Sequence, residues 1–548
     1  MRARVCVLSV VLSVLAGGLG CQDPETTQPD DGGADGRKDG VAPSCVSSRI
    51  CTGNVVRQCR GGVAGALIET CSDDQTCSAG RCTSHTCADA ERNETVTGCL
   101  FYGADLDNVN SDDLETTTVL LANPGNGMAM VDLEMREPSK PWTLSQWTTI
   151  QPGSAGSFVI PDHHLEGGGH GAALAFRIVS DAPISATLIA SDDRNETARS
   201  TAGTVLVPAQ ALGTGYLVMT YPQVGTPPIL ATPGGRRGAG QVAIVATDKD
   251  TTVTFQTSLT AYAGPEGGAP STPPGHAFNL LLDDGDIYQL FSIADGDDLT
   301  GSVITSNKPI AVFSGNITTT YGRDNEGVHS PDMAMEQMIP VTGWSRNYVA
   351  GRLGPQEATC DSIFSGSSAL WRILAAEDGT LVTFTTPPGV GGLPTSGLTL
   401  NAGGIAELLV SSAGSFVISG NKPILVTQGM DCEGTLSPGV PTDVLMSEYL
   451  FSLPANFDHE VVVVRKADAQ ILLDGTPIND SLFLPAGGLY EVARVHIAPC
   501  VGEPDRCLHR LNGQFGVTIR GMDVICAYAV TPQPWLRCDN PDTPGCIR

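Results

Sequence analysis

Beyond Cys99 the apolar positions recur with a period of two, and no stretch keeps the 3.6-residue period of an amphipathic helix of ordinary length. Residues 116–123 and 128–135 flank Asn123-Pro124-Gly125-Asn126-Gly127, a text that predicts a β-hairpin. Further alternating runs cover 158–161 and 172–191. Residues 242–247 and 252–257 surround Asp248-Lys249-Asp250, with Val253 and Phe255 on one face, and 278–282 and 287–291 surround Asp283-Asp284-Gly285-Asp286. The scheme returns at 371–376 and 381–385 around Glu377-Asp378-Gly379, at 405–410 and 416–419, and over 461–530 with turns at Asp474-Gly475 and Ala486-Gly487-Gly488. The class predicted is all-β.

One short text occurs three times: Ser180-Asp181-Ala182-Pro183-Ile184, Ser306-Asn307-Lys308-Pro309-Ile310 and Gly420-Asn421-Lys422-Pro423-Ile424. Each copy lies between two apolar runs. Proline fixes its own φ and cannot donate into a ladder, so the text predicts strand, turn, strand. Successive prolines are more than a hundred residues apart, a spacing that suits successive β domains rather than a small solenoid repeat. The expected architecture is tandem β-sandwich-like units built from sequential hairpins, with boundaries 99–215, 216–330, 331–454 and 455–531 and a Cys-containing tail over 532–548. The alternative is a β-propeller, which calls for a steadier period of roughly 40 to 50 residues.

Composition narrows the function classes. The 548 residues carry 31 Lys plus Arg against 59 Asp plus Glu, a formal net charge of −28 that repels phosphate backbones and anionic lipid. Nucleic acid is therefore excluded as an expected partner, and the acidity suits solubility outside a cell. Seventeen cysteines, clustered toward the N-terminus, point to an oxidising compartment. Residues 1–20 read as an export signal: Arg2 and Arg4, then an apolar stretch over 5–19. The segment ending in Gly20-Cys21 resembles a bacterial lipoprotein signal in which Cys21 takes the lipid, although Gly18 stands where leucine is usual; secretion after cleavage near Gly20 is the alternative. Localisation is then exported, on an outer membrane or cell surface, with the membrane touched only through that lipid.

Residues 21–44 supply the lipid cysteine and an acidic, turn-rich linker with almost nothing to bury. A small disulfide module is expected over 45–87, because the six cysteines between residues 45 and 82, Cys45, Cys51, Cys59, Cys71, Cys77 and Cys82, lie in a unit too short to stabilise itself by burial alone. Zinc is the alternative, but no Cys-x-x-Cys pair is present there. The remaining expected pairs are Cys87 with Cys99, Cys360 with Cys432, Cys500 with Cys507 and Cys538 with Cys546, leaving Cys526 as a buried free thiol.

From about Cys99 to Thr531 the chain resembles the N-terminal domain of the IgGFc-binding protein family. The residues that carry the resemblance are 119–124 (Val-Leu-Leu-Ala-Asn-Pro), the three Pro-Ile texts, and Glu336-Gln337-Met338-Ile339-Pro340 followed by Trp344. Phe515-Gly516-Val517 and residues 521–528 belong to it too, while Met333 departs from the histidine often found near there. The resemblance implies a non-enzymatic extracellular binding or adhesive β module, and it assigns Fc binding to no particular residue.

Catalytic motifs are sparse. The sequence has no Gly-x-Ser-x-Gly elbow, no His-Glu-x-x-His and no phosphate loop. His163, His164 and His170 surround Glu166 and could supply metal ligands, although neighbours on an extended chain point to opposite faces. Asp283, Asp284 and Asp286, and the acidic loop 295–298, could take calcium; turn chemistry explains the same residues. The metal candidates are thus Asp283, Asp284, Asp286, His163 and His170; no cofactor is expected, with calcium as the alternative. The expected function is a surface-anchored, non-catalytic adhesion protein with an extracellular protein or glycan as partner. The alternative is an exported hydrolase or metal-dependent enzyme whose site gathers His163, His164, His170, His329, Asp332 and Glu336 between β units. A purely structural envelope component, with no soluble ligand, is the third reading.

Overall fold

The computed structural model describes residues 49–534 apart from 61–62, 79, 93–95, 107, 109–115, 166, 193–199, 224–237, 260, 263–273, 320–331, 355–368, 411–413, 430–434, 500–506 and 523–526. Residues 1–48, with the expected export signal, Cys21, linker and Cys45, lie outside that set, as do Cys360, Cys432, Cys500, Cys526, Cys538 and Cys546. The first described segment is a three-stranded antiparallel sheet of Arg49–Cys51, Val55–Arg60 and Val63–Thr70, followed by a hairpin of Gln75–Ser78 and Arg81–Ser84. Disulfides Cys51–Cys77 and Cys71–Cys82 tie the two together. A single helix, α1 (His85–Arg92), comes next, and Cys87–Cys99 joins it to the β region. Cys59 and Cys507 are disulfide-bonded as well.

Seven strands then form the first sandwich: β1 (Gly98–Gly103), β2 (Thr116–Ala122), β3 (Ala129–Met135), β4 (Thr143–Ile150), β5 (Ala155–Val159), β6 (Phe176–Asp192) and β7 (Ser200–Val205). All pairings are antiparallel. One sheet runs β5–β2–β6–β7 and the other β1–β6–β3–β4. The strand β6 belongs to both: residues up to Ile184 pair with β1 and β3, and residues from Ser185 pair with β2 and β7.

This corrects the turn expected at Pro183. Its missing N–H coincides with a register shift between Val179 and Ile184, and the Ser180 hydroxyl closes the bulge by donating to Ala182 O at 2.6 Å. The backbone bends from one sheet to the facing one instead of ending, which is how a strand turns the corner of a sandwich. At Pro309 the same happens within one 17-residue strand, Val303–Thr319, where Ser306 donates to Lys308 O at 2.6 Å. At Pro423 glycine replaces the serine, and here the strand does stop at Phe416–Gly420 and resume at Ile424–Gly429. The second residue of the text has a constant task. Asp181, Asn307 and Asn421 each accept the backbone N–H of Met130, Thr252 and Leu381 respectively, all at 2.8 Å, pinning the corner to the neighbouring strand.

The same strand order recurs in three further sandwiches. Counterparts of β1 are Gly213–Leu217, Asn347–Ala350 and Met446–Ser452; counterparts of β7 are Asp332–Gln337, Ser437–Pro438 and Ala527–Val530. In the fourth, Leu508–Met522 is the corner strand and Gly513, at φ +132°, stands near the bend in place of proline. The two sheets of each unit share a core: Tyr348, Val382 and Phe416 from one sheet of the third sandwich pack with Trp371, Ile373 and Val426 from the other. Trp371 meets Phe416 edge to face at 5.6 Å.

The predicted hairpin at 123–127 is also corrected. Strands β2 and β3 do not pair, and the connection carries the chain from one sheet to the other. Buried Asn123 organises that crossing by donating to Gly127 O at 2.8 Å and Ile150 O at 3.0 Å while accepting Gly125 N–H. The corner strand of the second sandwich passes its neighbour closely at Gly315, where a Cβ would lie 1.9 Å from Ala334 O. Gly315→Ala should therefore cost about 3 kcal/mol or more, since backbone cannot rotate away. Guanidinium unfolding checks it; a midpoint within error of the parent would show that the two strands can separate freely.

Candidate functional site

The last strands of the sandwiches converge. β7 lies against Asp332–Gln337 and against Ala527–Val530, where buried polar bonds run beside apolar contacts of Val205, Tyr528 and Val530. Asp332 accepts Thr201 N–H at 2.6 Å and Ala527 N–H at 2.8 Å, so one carboxylate joins the first, second and fourth sandwiches. Gln337 accepts Val207 N–H at 2.8 Å and gives its own N–H to Thr204 at 2.9 Å. Thr531 donates to Pro438 O at 2.9 Å, which brings in the third sandwich. Arg372, also of the third, is 1% exposed and reaches Thr220 O, Asp298 and Glu407. Such buried bonds between units fix their mutual placement.

Glu336 differs from these. It lines a cavity of ≈ 10 Å³ with Val96, Val205, Val207, Ile339, Thr531 and Gln533, room for about one water molecule. Its Oε2 has no hydrogen-bond partner among the described residues, and burial pushes its carboxyl well above the ordinary 4.5. Among the described residues that line it there is no histidine.

His163, His164 and His170 sit where the first sandwich meets the second. Gly169–Gly171 pairs with Ile287–Ser292, adding a short strand to the second sandwich. His170 Nε2 lies 2.8 Å from Asp286 Oδ2, and Asp286 also accepts Ala173 N–H and Asp283 N–H, both at 2.9 Å. His163 Nε2 is 3.1 Å from Ala173 O. Asp284 accepts from Trp142 Nε1 at 2.8 Å, and Arg136 lies 3.5 Å from Asp283 and 3.7 Å from Asp284. Asp283, Asp284, Asp286, His163 and His170 thus take part in turns and in the joint between units, while Asp284 Oδ1 is buried with no hydrogen-bond partner among the described residues. In the 295–298 loop, Asp297 caps Ala294 N–H at 2.9 Å and Asp298 pairs with Arg372.

A different trio has its potential ligand atoms within 4.8 Å of one another: Asp105, Asp162 and His164. The Thr117 hydroxyl donates to Asp105, whose carboxyl is raised by burial, and Asp162 bonds His164 at 2.9 Å. Asp162 adjoins the histidines in sequence, but Asp105 comes from the segment after β1 and carries no local signal of its role. His329 and Glu166 lie outside the described residues. The structure places Asp332 and Glu336 in the strand junction, apart from the partners of His163 and His170.

Two comparisons bear on this arrangement. A family profile described as IgGFc binding protein matches residues 202–521, more than half of the chain, from the end of β7 through the corner strand of the fourth sandwich. A human protein named IgGFc-binding protein is 28% identical over 225 residues, which are 41% of this chain and 3% of the human protein.

Proposed function

The chain belongs to the IgGFc-binding protein family, and from that premise we propose that it is a non-catalytic extracellular capture protein whose ligand is another protein or a glycan. The observation that carries the reading is the match over 202–521, because it spans the second to fourth sandwiches, which buried polar bonds hold in fixed relation. Binding loops on rigid sheets need little ordering on contact, which favours affinity. The name of the human relative makes immunoglobulin Fc one probe to include. In this reading Cys21 takes a lipid and residues 22–44 hold the sandwiches away from an outer membrane or cell surface.

Cosedimentation of the oxidised full chain with immobilised Fc, with extracellular matrix and with envelopes of its source cells tests the proposal, each with and without calcium. Saturable uptake by one of these is expected. Absence of saturable binding to all three, in both conditions, would overturn the capture reading. Labelling with a radioactive fatty acid tests the anchor separately: label retained in Cys21→Ser would remove Cys21 from that role.

A further inference from the structure

The repeated topology lets equivalent surface positions be compared within one chain. Four residues ahead of each corner proline, a row of side chains crosses the outer face of the β1–β6–β3–β4 type sheet. In the second sandwich the row is Gly215, Thr305, Thr254 and Asn279. In the third it is Asn347, Ser419 and Thr383. Both are small and polar, as solvent-facing sheet positions usually are. In the first sandwich the row is Leu100, Val179, Asp132 and Trp147. The fold therefore does not require apolar residues at these positions, yet the first sandwich carries them.

Exposure marks the same patch. Trp147 is 64% and Met130 50% exposed, and Met130 lies diagonally across from Trp147 on the adjoining strand. Asp132, in the middle, has no hydrogen bond or ion pair among the described residues. Arg177, a cation on the same face, is held by Glu134 at 2.5 Å and lies over Trp142 at 4.6 Å. Burial, Glu134 and Asp181 all press on the Asp132 carboxylate in one direction, toward the uncharged form. An unpaired carboxylate beside an exposed indole, rimmed by aliphatic side chains and further acids, is complementary to a long aliphatic side chain ending in a cation.

We propose that the outer face of the first sandwich, centred on Asp132 and Trp147, docks a lysine- or arginine-bearing segment of a second protein. The cation would pair with Asp132 and lie on the Trp147 ring, while its methylene stem covers Val179 and Met130. The face lies N-terminal to residues 202–521, so it is a property of this chain beyond the stretch matched by the family profile.

The test titrates the full chain, by calorimetry at physiological ionic strength, with an extended peptide alternating serine and arginine. Its control replaces arginine by uncharged citrulline. Charges beyond about 8 Å are then screened, so the acidity of the whole chain contributes little. The variants Asp132→Thr and Trp147→Asn install the residue types that the second sandwich carries at the same positions, Thr254 and Asn279, and should fold. Each is expected to weaken arginine-peptide binding about tenfold or more, and citrulline to weaken it comparably in the parent. Equal affinity of parent and variants, equal affinity for the two peptides, or no binding by the parent would each overturn the proposal. So would dimerisation in sedimentation that Trp147→Asn abolishes without any peptide binding, which would assign the face to a second copy. The titration is independent of Fc, matrix and envelope binding, so failure here leaves the capture reading standing and failure there leaves this surface standing.

Discussion

Asp332→Leu is expected to destabilise the protein by about 2–6 kcal/mol, because each of two buried backbone donors left without an acceptor costs about 1–3 kcal/mol. Those donors are the N–H groups of Thr201 and Ala527, on the last strands of the first and fourth sandwiches. The adjacent Met333 N–H keeps an acceptor in the Ser200 hydroxyl at 2.9 Å, so it adds little to the loss. Leucine cannot accept, and the site is fully buried, so water cannot take over. Asp332→Asn retains one acceptor oxygen and should fall between parent and leucine. Denaturant unfolding gives the loss, and hydrogen exchange locates it: the Thr201 and Ala527 amides should lose protection before the sheet interiors do. A loss below about 1 kcal/mol for the leucine variant, or unchanged protection at both amides, would mean that the carboxylate does not hold the units together.

The alternation of apolar and polar residues made the all-β class legible, because a sheet with one buried face writes its period directly into the chain. The corner strands were less legible. Ser180 to Pro183 and Ser306 to Pro309 have the composition of a turn, and only the tertiary pairing shows the serine hydroxyl closing a bulge while the strand runs on. The Asn123–Gly127 text was misread for a similar reason: a tight turn looks the same whether its two strands pair or diverge into facing sheets. Asp181, Asn307 and Asn421 look like loop residues, and their shared task of capping the adjacent strand appears once the three corners are superposed by register. The strand junction was legible only in fragments. Asp332 and Glu336 entered as candidates for one catalytic site, but nothing local says that one meets backbone donors and the other an apolar cavity. Trp147 gave no signal, since an alternating strand does not reveal which face is solvent until Ala129, Val131 and Leu133 are seen to fill the core opposite it.

Glu336 and His459 should impose opposite pH dependences on stability. Burial raises the Glu336 carboxyl above 4.5, so between 4.5 and its folded value the native protein keeps a proton that the unfolded chain releases. Its contribution is greatest below that window and is lost as pH rises through it. Glu336→Gln replaces the protonated acid with a neutral group of similar shape, and it should flatten the alkaline side at about 1.4 kcal/mol for each pH unit of the native shift. His459 works the other way. Burial, with His509 and His496 adding to it and Asp458 opposing, lowers it from 6.5 to about 4, and the ring sits between Phe457 and Tyr528 with neither nitrogen bonded to a described residue. The unfolded chain therefore takes up a proton between pH 6.5 and about 4 that the native state refuses, and about 3 kcal/mol is lost as the medium is acidified through that interval. His459→Phe keeps the aromatic contacts and should remove the acid limb. Unfolding free energies from pH 4 to pH 9, measured in parallel, should show Glu336→Gln rising relative to the parent on the alkaline side and His459→Phe on the acid side. Curves that stay parallel to the parent would place the pH response elsewhere. The two groups lie in different parts of the frame: Glu336 at the strand junction, His459 on Asp458–Lys466 inside the fourth sandwich. The alkaline limb therefore reports loosening between units and the acid limb loosening within one.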